Sequence, residues 1–224
     1  MIYYVLVGVL TLLGLFVSGR LKSKFAHYSQ FGLRANLSGA EVAERMLRHY
    51  GINDVKITMG QGFLSDHYNP LTKVVNLSPD VYQGRSISAA AVAAHECGHA
   101  VQHANAYTWL KLRSAVVPVV NVAAQAQQWL LLIALMGSFK PLLLLTIAAF
   151  AITTAFALIT LPVEFDASRR ALVWLEESGT ARGEEHAGAK DALTWAALTY
   201  VSAALSSFVM LLYLVLRYTG SSRD

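Results

Sequence analysis

Apolar and polar residues fall along this chain in long blocks. Four stretches carry no charge: Met1–Gly19, Ser114–Phe139, Pro141–Pro162 and Ala192–Leu216. A helix needs ~20 apolar residues to cross a hydrocarbon core of ~30 Å, so the blocks predict four spanning helices. The second is impure. Pro118, Asn121, Gln125, Gln127 and Gln128 interrupt it, so it either starts outside the hydrocarbon or faces other helices. "GSFKP" at 137–141 breaks spans two and three into a hairpin. The first block lacks a basic leader and a clear cleavage site before Arg20, Lys22 and Lys24. It reads as an uncleaved anchor, not a signal peptide.

The polar sequence lies mostly between residues 20 and 113. "SGAE", Ser38–Glu41, has the form of a capping box. It predicts a helix to Tyr50, ended by Gly51, with Val42, Met46 and Leu47 buried. Val55, Ile57, Val74, Val75 and Leu77 are β-type residues, and Asn69-Pro70 is a turn signal. They predict a small sheet with a hairpin near residues 63–77. An Ala-rich helix follows from about Ile87 to His103.

Composition strengthens the membrane reading. Hydrophobic residues make up 55% and charged ones 14%, against ~25% charged in soluble domains; the mean hydropathy is +0.44. The net charge of +4 is concentrated beside the spans. Arg20, Lys22, Lys24, Arg34, Lys111, Arg113, Arg169, Arg170, Arg182 and Lys190 all fall in 20–113 or 163–191. The positive-inside rule then makes those two segments cytoplasmic and both chain ends external. No basic run with interleaved aromatics points to nucleic acid. Cys97 is the only cysteine, so no intramolecular disulfide exists, and a small packed side chain is its expected role.

The chemistry sits in "AAHECGHAVQH", residues 93–103. His95-Glu96-Cys97-Gly98-His99 fits H-E-x-x-H. On a helix, residues four apart share a face, ~6 Å apart along the axis. Two imidazoles there can converge on one Zn²⁺. Glu96 is rotated ~100° from His95, so it can take a proton from a metal-activated water without binding the metal. Gly98 is expected to leave room for metal or substrate. His103 lies ~12 Å along the axis from His95, too far to share an ion with it. It is expected to support the site from behind or to lie at the surface. The long metzincin pattern would need His at position 105, which is Asn105.

A catalytic zinc usually has three protein ligands and one open position, so a third ligand must come from elsewhere. "LPVEFDASRRAL", 161–172, is the best source, leaving the third span at Pro162 and resuming as a helix. Glu164 is one candidate and Asp166 the other. They point ~200° apart on a helix, so both will not bind one ion.

"HECGHAVQH", with "DHYNP" upstream and "LPVEFDASRRAL" downstream, resembles the bacterial membrane-bound neutral zinc metallopeptidases of the YugP-like type. "SGAEVAERML" and "RSISAAAVAAHE" extend the resemblance over nearly the whole chain. It implies a zinc-dependent endopeptidase of the inner membrane with gluzincin-type ligation: His95, His99 and Glu164 as metal ligands and Glu96 as general base. A more distant similarity is to the CAAX-processing and heat-shock zinc proteases. Their motif places an Asp four residues after the ligand Glu. This chain has Ser168 there and an Asp at 166, so either could bond a ligating His.

The fold class expected is a mainly α integral membrane protein with about four transmembrane helices. A small α+β zincin-like cytoplasmic domain, the H-E-x-x-H helix plus a short β-hairpin, completes it. The division is an anchor at 1–19, a catalytic region at 20–113, a transmembrane hairpin at 114–162, a segment with the third ligand at 163–191, and a last helix and tail at 192–224. His67 and Tyr68 are further candidates, as oxyanion donors or substrate contacts. The strand "KVVNLS", 73–78, is a candidate edge for an extended peptide. Arg169 and Arg170 either offset Glu164 or anchor to lipid phosphate, and His186 is expected in a solvated loop. The expected cofactor is one Zn²⁺ per chain, although His/His/Glu also suits Mn or Co. The partners are a peptide or membrane-protein substrate and the lipid bilayer. A zinc-stabilised membrane adaptor is the main alternative. A metal transporter would need ligands near mid-membrane, where only the amides of span two occur, and amides bind zinc poorly.

Overall fold

A computed structural model describes residues 1–62, 65–136 and 140–220. The elements are α1 (Ile2–Tyr28), α2 (Gly39–His49), β1 (Lys56–Met59), β2 (His67–Asn69), β3 (Val74–Leu77), α3 (Pro79–Tyr82), α4 (Ile87–Ala104), α5 (Thr108–Met136), α6 (Lys140–Glu177) and α7 (Glu184–Gly220). The protein is mainly helical with one three-stranded sheet. Helices α1, α5, α6 and α7 are long and apolar enough to cross a membrane. α6 packs between α5 and α7, and α7 also packs on α1. Leu143, Phe150, Met210 and Leu214 form the contact between α6 and α7. Val9, Leu12, Leu158 and Leu205 remain exposed on the outside of the bundle, a surface that suits lipid.

These helices outrun their uncharged blocks. α1 continues past Arg20 to Tyr28, α7 begins at Glu184, and α6 passes through Pro162 without a break. The expected interruption at Pro162 is thus absent. A proline removes one backbone hydrogen bond and crowds the carbonyl four residues earlier. Beyond it, Val163, Ala167 and Ala171 are fully buried, and that packing holds the helix together. The break expected at 137–141 falls mostly on residues 137–139, outside the described residues.

A second core lies beyond the bundle, with α4 at its centre. α4 packs on α2, α6 and α7. Its alanines, Ala90, Ala91, Ala93 and Ala94, are all buried and let those neighbours come close. Val42 and Met46 of α2, Val75 and Leu77 of β3, and Trp174 and Leu175 of α6 complete this core. Cys97 belongs to it: the thiol lies 3.6 Å from the Ala43 carbonyl, and burial pushes its pKa far up. It is a packed side chain.

Local signals set the ends of these helices. Ser38 Oγ accepts from the Glu41 N–H at 3.3 Å, and Glu41 accepts from the Ser38 N–H at 2.7 Å. The capping box is therefore complete. Gly51 follows the helix with φ +68°, a conformation that suits glycine. Ser86 caps α4 by accepting from the Ala89 N–H.

The sheet order is β1-β3-β2, with β1 parallel and β2 antiparallel to β3. The antiparallel β2–β3 pair is the expected hairpin; residues 63 and 64 at its start lie outside the described residues. β3, in "KVVNLS", is the central strand, so it has no free edge for a peptide. Val75 and Leu77 are fully buried, which draws β3 inward and leaves β2 as an edge. His186 also differs from expectation. It lies in the first turns of α7, is mostly buried, and sits 3.8 Å from Glu176.

Removing the Ser38 hydroxyl (Ser38→Ala) should cost about 1 kcal/mol of stability, the usual value of an N-cap. Thermal unfolding in detergent checks this, with a lowered midpoint as the expected result.

Candidate metal centre

α4 presents His95 and His99 one turn apart toward α6, and α6 presents Glu164 between them. Glu164 Oε2 lies 3.3 Å from His95 Nε2 and 3.5 Å from His99 Nε2. One ligand atom from each of the three lies within 4.8 Å of the others. Among the described residues this is the one such group of His, Cys, Asp and Glu. The donor set fits a zinc ion: two imidazole nitrogens and a carboxylate oxygen. A buried orphan supports that fit, because Glu164 Oε2 has no hydrogen-bond partner, and such atoms are rare unless something else satisfies them.

The close approach of the two helices makes this possible. A Cβ on Gly98 would sit 2.6 Å from the Ala167 carbonyl oxygen. Gly98 was expected to give room to metal or substrate; instead it gives room to the backbone of α6.

Each imidazole is oriented through its other nitrogen. Gln102 donates both amide hydrogens, to the Val163 carbonyl at 2.8 Å and to Asp166 at 2.9 Å. Its oxygen is therefore fixed as an acceptor, 3.0 Å from His99 Nδ1. His99 must then carry a proton on Nδ1, so Nε2, which faces Glu164, is the nitrogen that can bind a metal when the ring is neutral. Ser168 Oγ is 3.1 Å from His95 Nδ1 and can orient that ring in the same way. Ser168 thus serves His95 directly, and Asp166 reaches His99 through Gln102. Asp166 is not in the metal-capable group. It pairs with Arg169 and Arg170, each at 2.5 Å, so those arginines offset Asp166, not Glu164.

Glu164 is about 2% exposed. Burial alone would raise its pKa, but the His95 and His99 imidazoles outweigh that and hold it well below the ordinary carboxylate range. For His99, burial opposes the charge, and the Glu164 carboxylate more than offsets it, so its pKa is raised. Arg113 of α5 adds a positive charge 3.5 Å from Glu164 Oε1. Tyr200 of α7 lies within interaction range of the same carboxylate.

The centre opens on a cleft of about 370 Å³, lined by Glu96, His99 and Glu164 on its floor. The β2 segment from Asp66 to Leu71 forms one wall, and Arg113, Val117, Phe156 and Tyr200 form the other. A larger cavity of about 780 Å³ lies at the start of α4, but none of the three metal-capable residues lines it. Size alone does not mark the site. His67 and Tyr68 both line the cleft. His67 is exposed, with Nδ1 2.8 Å from the Ser65 carbonyl. The Tyr68 hydroxyl is 2.8 Å from His103 Nδ1, and burial pushes its pKa up to about 12. His103 thus holds Tyr68 and stands apart from the metal group.

The sequence reading missed Gln102, Arg113 and Tyr200 as site residues. Gln102 had a signal, since it lies three residues after His99 and so shares its face. Arg113 read as a flanking charge. Tyr200 sits in an apolar block, where nothing in the pattern sets it apart.

Four helices long and apolar enough to cross a membrane, with two histidines and a buried carboxylate that could hold a metal ion, mark this as a mainly helical protein with a candidate metal centre. The family described as "Putative neutral zinc metallopeptidase" matches residues 3–219, and the chain belongs to it. It is 44% identical over 197 residues to "Putative membrane protease YugP" of Bacillus subtilis (strain 168), covering 88% of each chain. No solved structure matches.

Gly98→Ala should force α6 away from α4, an overpacking that costs about 1–3 kcal/mol. Zinc per purified chain should fall, as read by mass spectrometry. Gly8→Ala, where an added Cβ meets nothing within 4 Å, should leave the zinc content unchanged.

Proposed function

We propose that the protein is a membrane-embedded zinc endopeptidase that hydrolyses peptide bonds of membrane-associated or misfolded proteins. The observation that carries this reading is that His95, His99 and Glu164 converge while Glu96, next to the first histidine, opens on the same cleft. His95, His99 and Glu164 would hold one Zn²⁺ per chain. A zinc there supplies positive charge that acidifies a water and polarises the scissile carbonyl.

The remaining chemistry falls to the protein. Glu96 takes the proton of the attacking water and returns it to the amine as the C–N bond breaks. Ser168 and Gln102 keep the two imidazoles aimed, and Arg113 steadies Glu164. His67 faces the substrate from the opposite wall. Its Nδ1–H is directed at the Ser65 carbonyl, so it donates to a developing oxyanion through Nε2 only when doubly protonated. Tyr68, held by His103, shapes that wall and contacts the substrate. An extended peptide can pair with β2, which has one strand neighbour, by sequence-independent backbone hydrogen bonds.

In this reading residues 20–113 and 163–191 form a zincin-like unit on the cytoplasmic side of the inner membrane, and 1–19, 114–162 and 192–224 make up the multi-pass membrane part. The charge distribution supports that orientation. A zinc-stabilised adaptor fits less well. A structural zinc is closed by four ligands, and it has no use for a carboxylate such as Glu96 at an open cleft.

Glu96→Gln should keep its zinc and lose peptide hydrolysis by about 10²–10⁴-fold, the usual worth of a general base. Glu164→Ala should lose zinc as well. The assay is cleavage of a labelled unfolded polypeptide by protein in lipid nanodiscs, alongside metal content. Full zinc in Glu164→Ala would overturn the ligand assignment, and undiminished cleavage by Glu96→Gln would overturn the mechanism.

A further inference from the structure

Among the described residues, one face of α5 has no partner. Asn121, Gln125 and Gln128 are exposed, and none makes a side-chain hydrogen bond to the described residues. At ~100° per residue they fall, with Ser114, within an arc of about 60°. Gln127, on another face, behaves differently: it accepts from Thr153 of α6 at 2.8 Å. One amide is thus used inside the bundle, while three in a row point away from it.

Their depth makes this costly. The stretch of α5 long and apolar enough to cross a membrane is Thr108–Ile133, and Asn121 and Gln125 lie in its central turns, so a ~30 Å core centred on that stretch would enclose both. Lipid offers an amide no hydrogen bond, and polar side chains there bond across helices. The stripe also leads somewhere. Ser114 and Val117, at its upper end, line the cleft that holds Glu96, His99 and Glu164. A helix laid along the stripe would run straight into that cleft.

We propose that this amide stripe docks the membrane-spanning segment of a substrate that carries unpaired polar residues of its own, and feeds the adjoining extended segment to the cleft. The proposal rests on the peptidase reading above. The chemistry selects this class of partner. An amide both donates and accepts, so it matches Ser, Thr, Asn or Gln on a facing helix without fixing the sequence. Such residues face lipid only when a membrane protein has lost, or not yet found, its own partner helix. Hydrogen bonds between membrane helices are modest, which suits a face that must let go. A second copy of this chain fits less well, because a lasting partner along the stripe would cover the cleft mouth.

The test uses the full zinc-loaded chain in liposomes and three probes: a single-span polypeptide with Asn at mid-span, the same polypeptide with an all-Leu span, and its water-soluble flank as a free peptide. Wild type should cut the Asn-span probe at least ten-fold faster than the Leu-span probe. Asn121→Leu/Gln125→Leu/Gln128→Leu, with zinc content as the check on folding, should bring that ratio close to one. A photocrosslinking residue replacing Gln125 should capture the Asn-span probe in the uncut Glu96→Gln background, whereas one replacing Val119 on the opposite face should not. A wild-type ratio near one, a ratio that survives in the triple variant, or capture of a second copy of the chain in place of the probe would overturn the docking proposal. Failure of wild type to cut any probe, the free flank included, would instead sink the peptidase reading.

Discussion

Everything at this site depends on how closely two helix backbones approach. α4 and α6 meet at Gly98 and Ala167, where no side chain keeps them apart. Their contacts run in opposite senses: His95 with Ser168, Gly98 with Ala167, Gln102 with Val163. The helices are therefore antiparallel, and one turn of each is matched to one turn of the other. That match puts a carboxylate between two imidazoles and the groups that orient the imidazoles behind them. A carboxylate cannot follow if its helix withdraws, because its side chain is short.

The approach has an electrostatic cost, and the structure spreads the compensation. Two carboxylates, Glu164 and Asp166, are buried within one turn. Burying an unpaired charge is strongly unfavourable. Asp166 is matched by Arg169, Arg170 and the Gln102 amide. Glu164 has Arg113 beside Oε1, while Oε2 faces both histidines without a hydrogen-bond partner. The two acids thus divide their duties. Asp166 is saturated and structural, and Glu164 keeps a vacant lone pair on the side where the histidines point.

Much of this was legible in the sequence because it is encoded locally. The capping box at Ser38–Glu41 needs only four residues in order. The histidine pair needs only helical spacing, and the four apolar blocks need only length. The resemblance then singled out Glu164 from Asp166, which spacing alone had not done. What stayed hidden was long-range. Gly98 looks like a glycine beside a ligand, and only the arrival of α6 shows what it makes room for. The sheet order turns on which strand the core draws inward, so β3 reads locally as an edge and is central in the fold. Pro162 is an interruption by local rule, overridden by the burial of Val163, Ala167 and Ala171. Arg113 and Tyr200 reach Glu164 from helices far away in sequence, and each has an ordinary local explanation as a flanking charge or an apolar-block aromatic.

The unbroken course of α6 has a mechanical consequence. The helix has 38 residues, a rod of ~57 Å at 1.5 Å per residue, of which only about half is needed to span a bilayer core. Glu164 rides on the remainder. Helix packing, interfacial anchors and the match to bilayer thickness together govern the tilt of such rods, and no loop separates Glu164 from the apolar part of α6 to absorb a change of tilt. A change of tilt, as between a thin detergent micelle and a thicker bilayer, would therefore be carried along one rigid helix to the candidate metal centre.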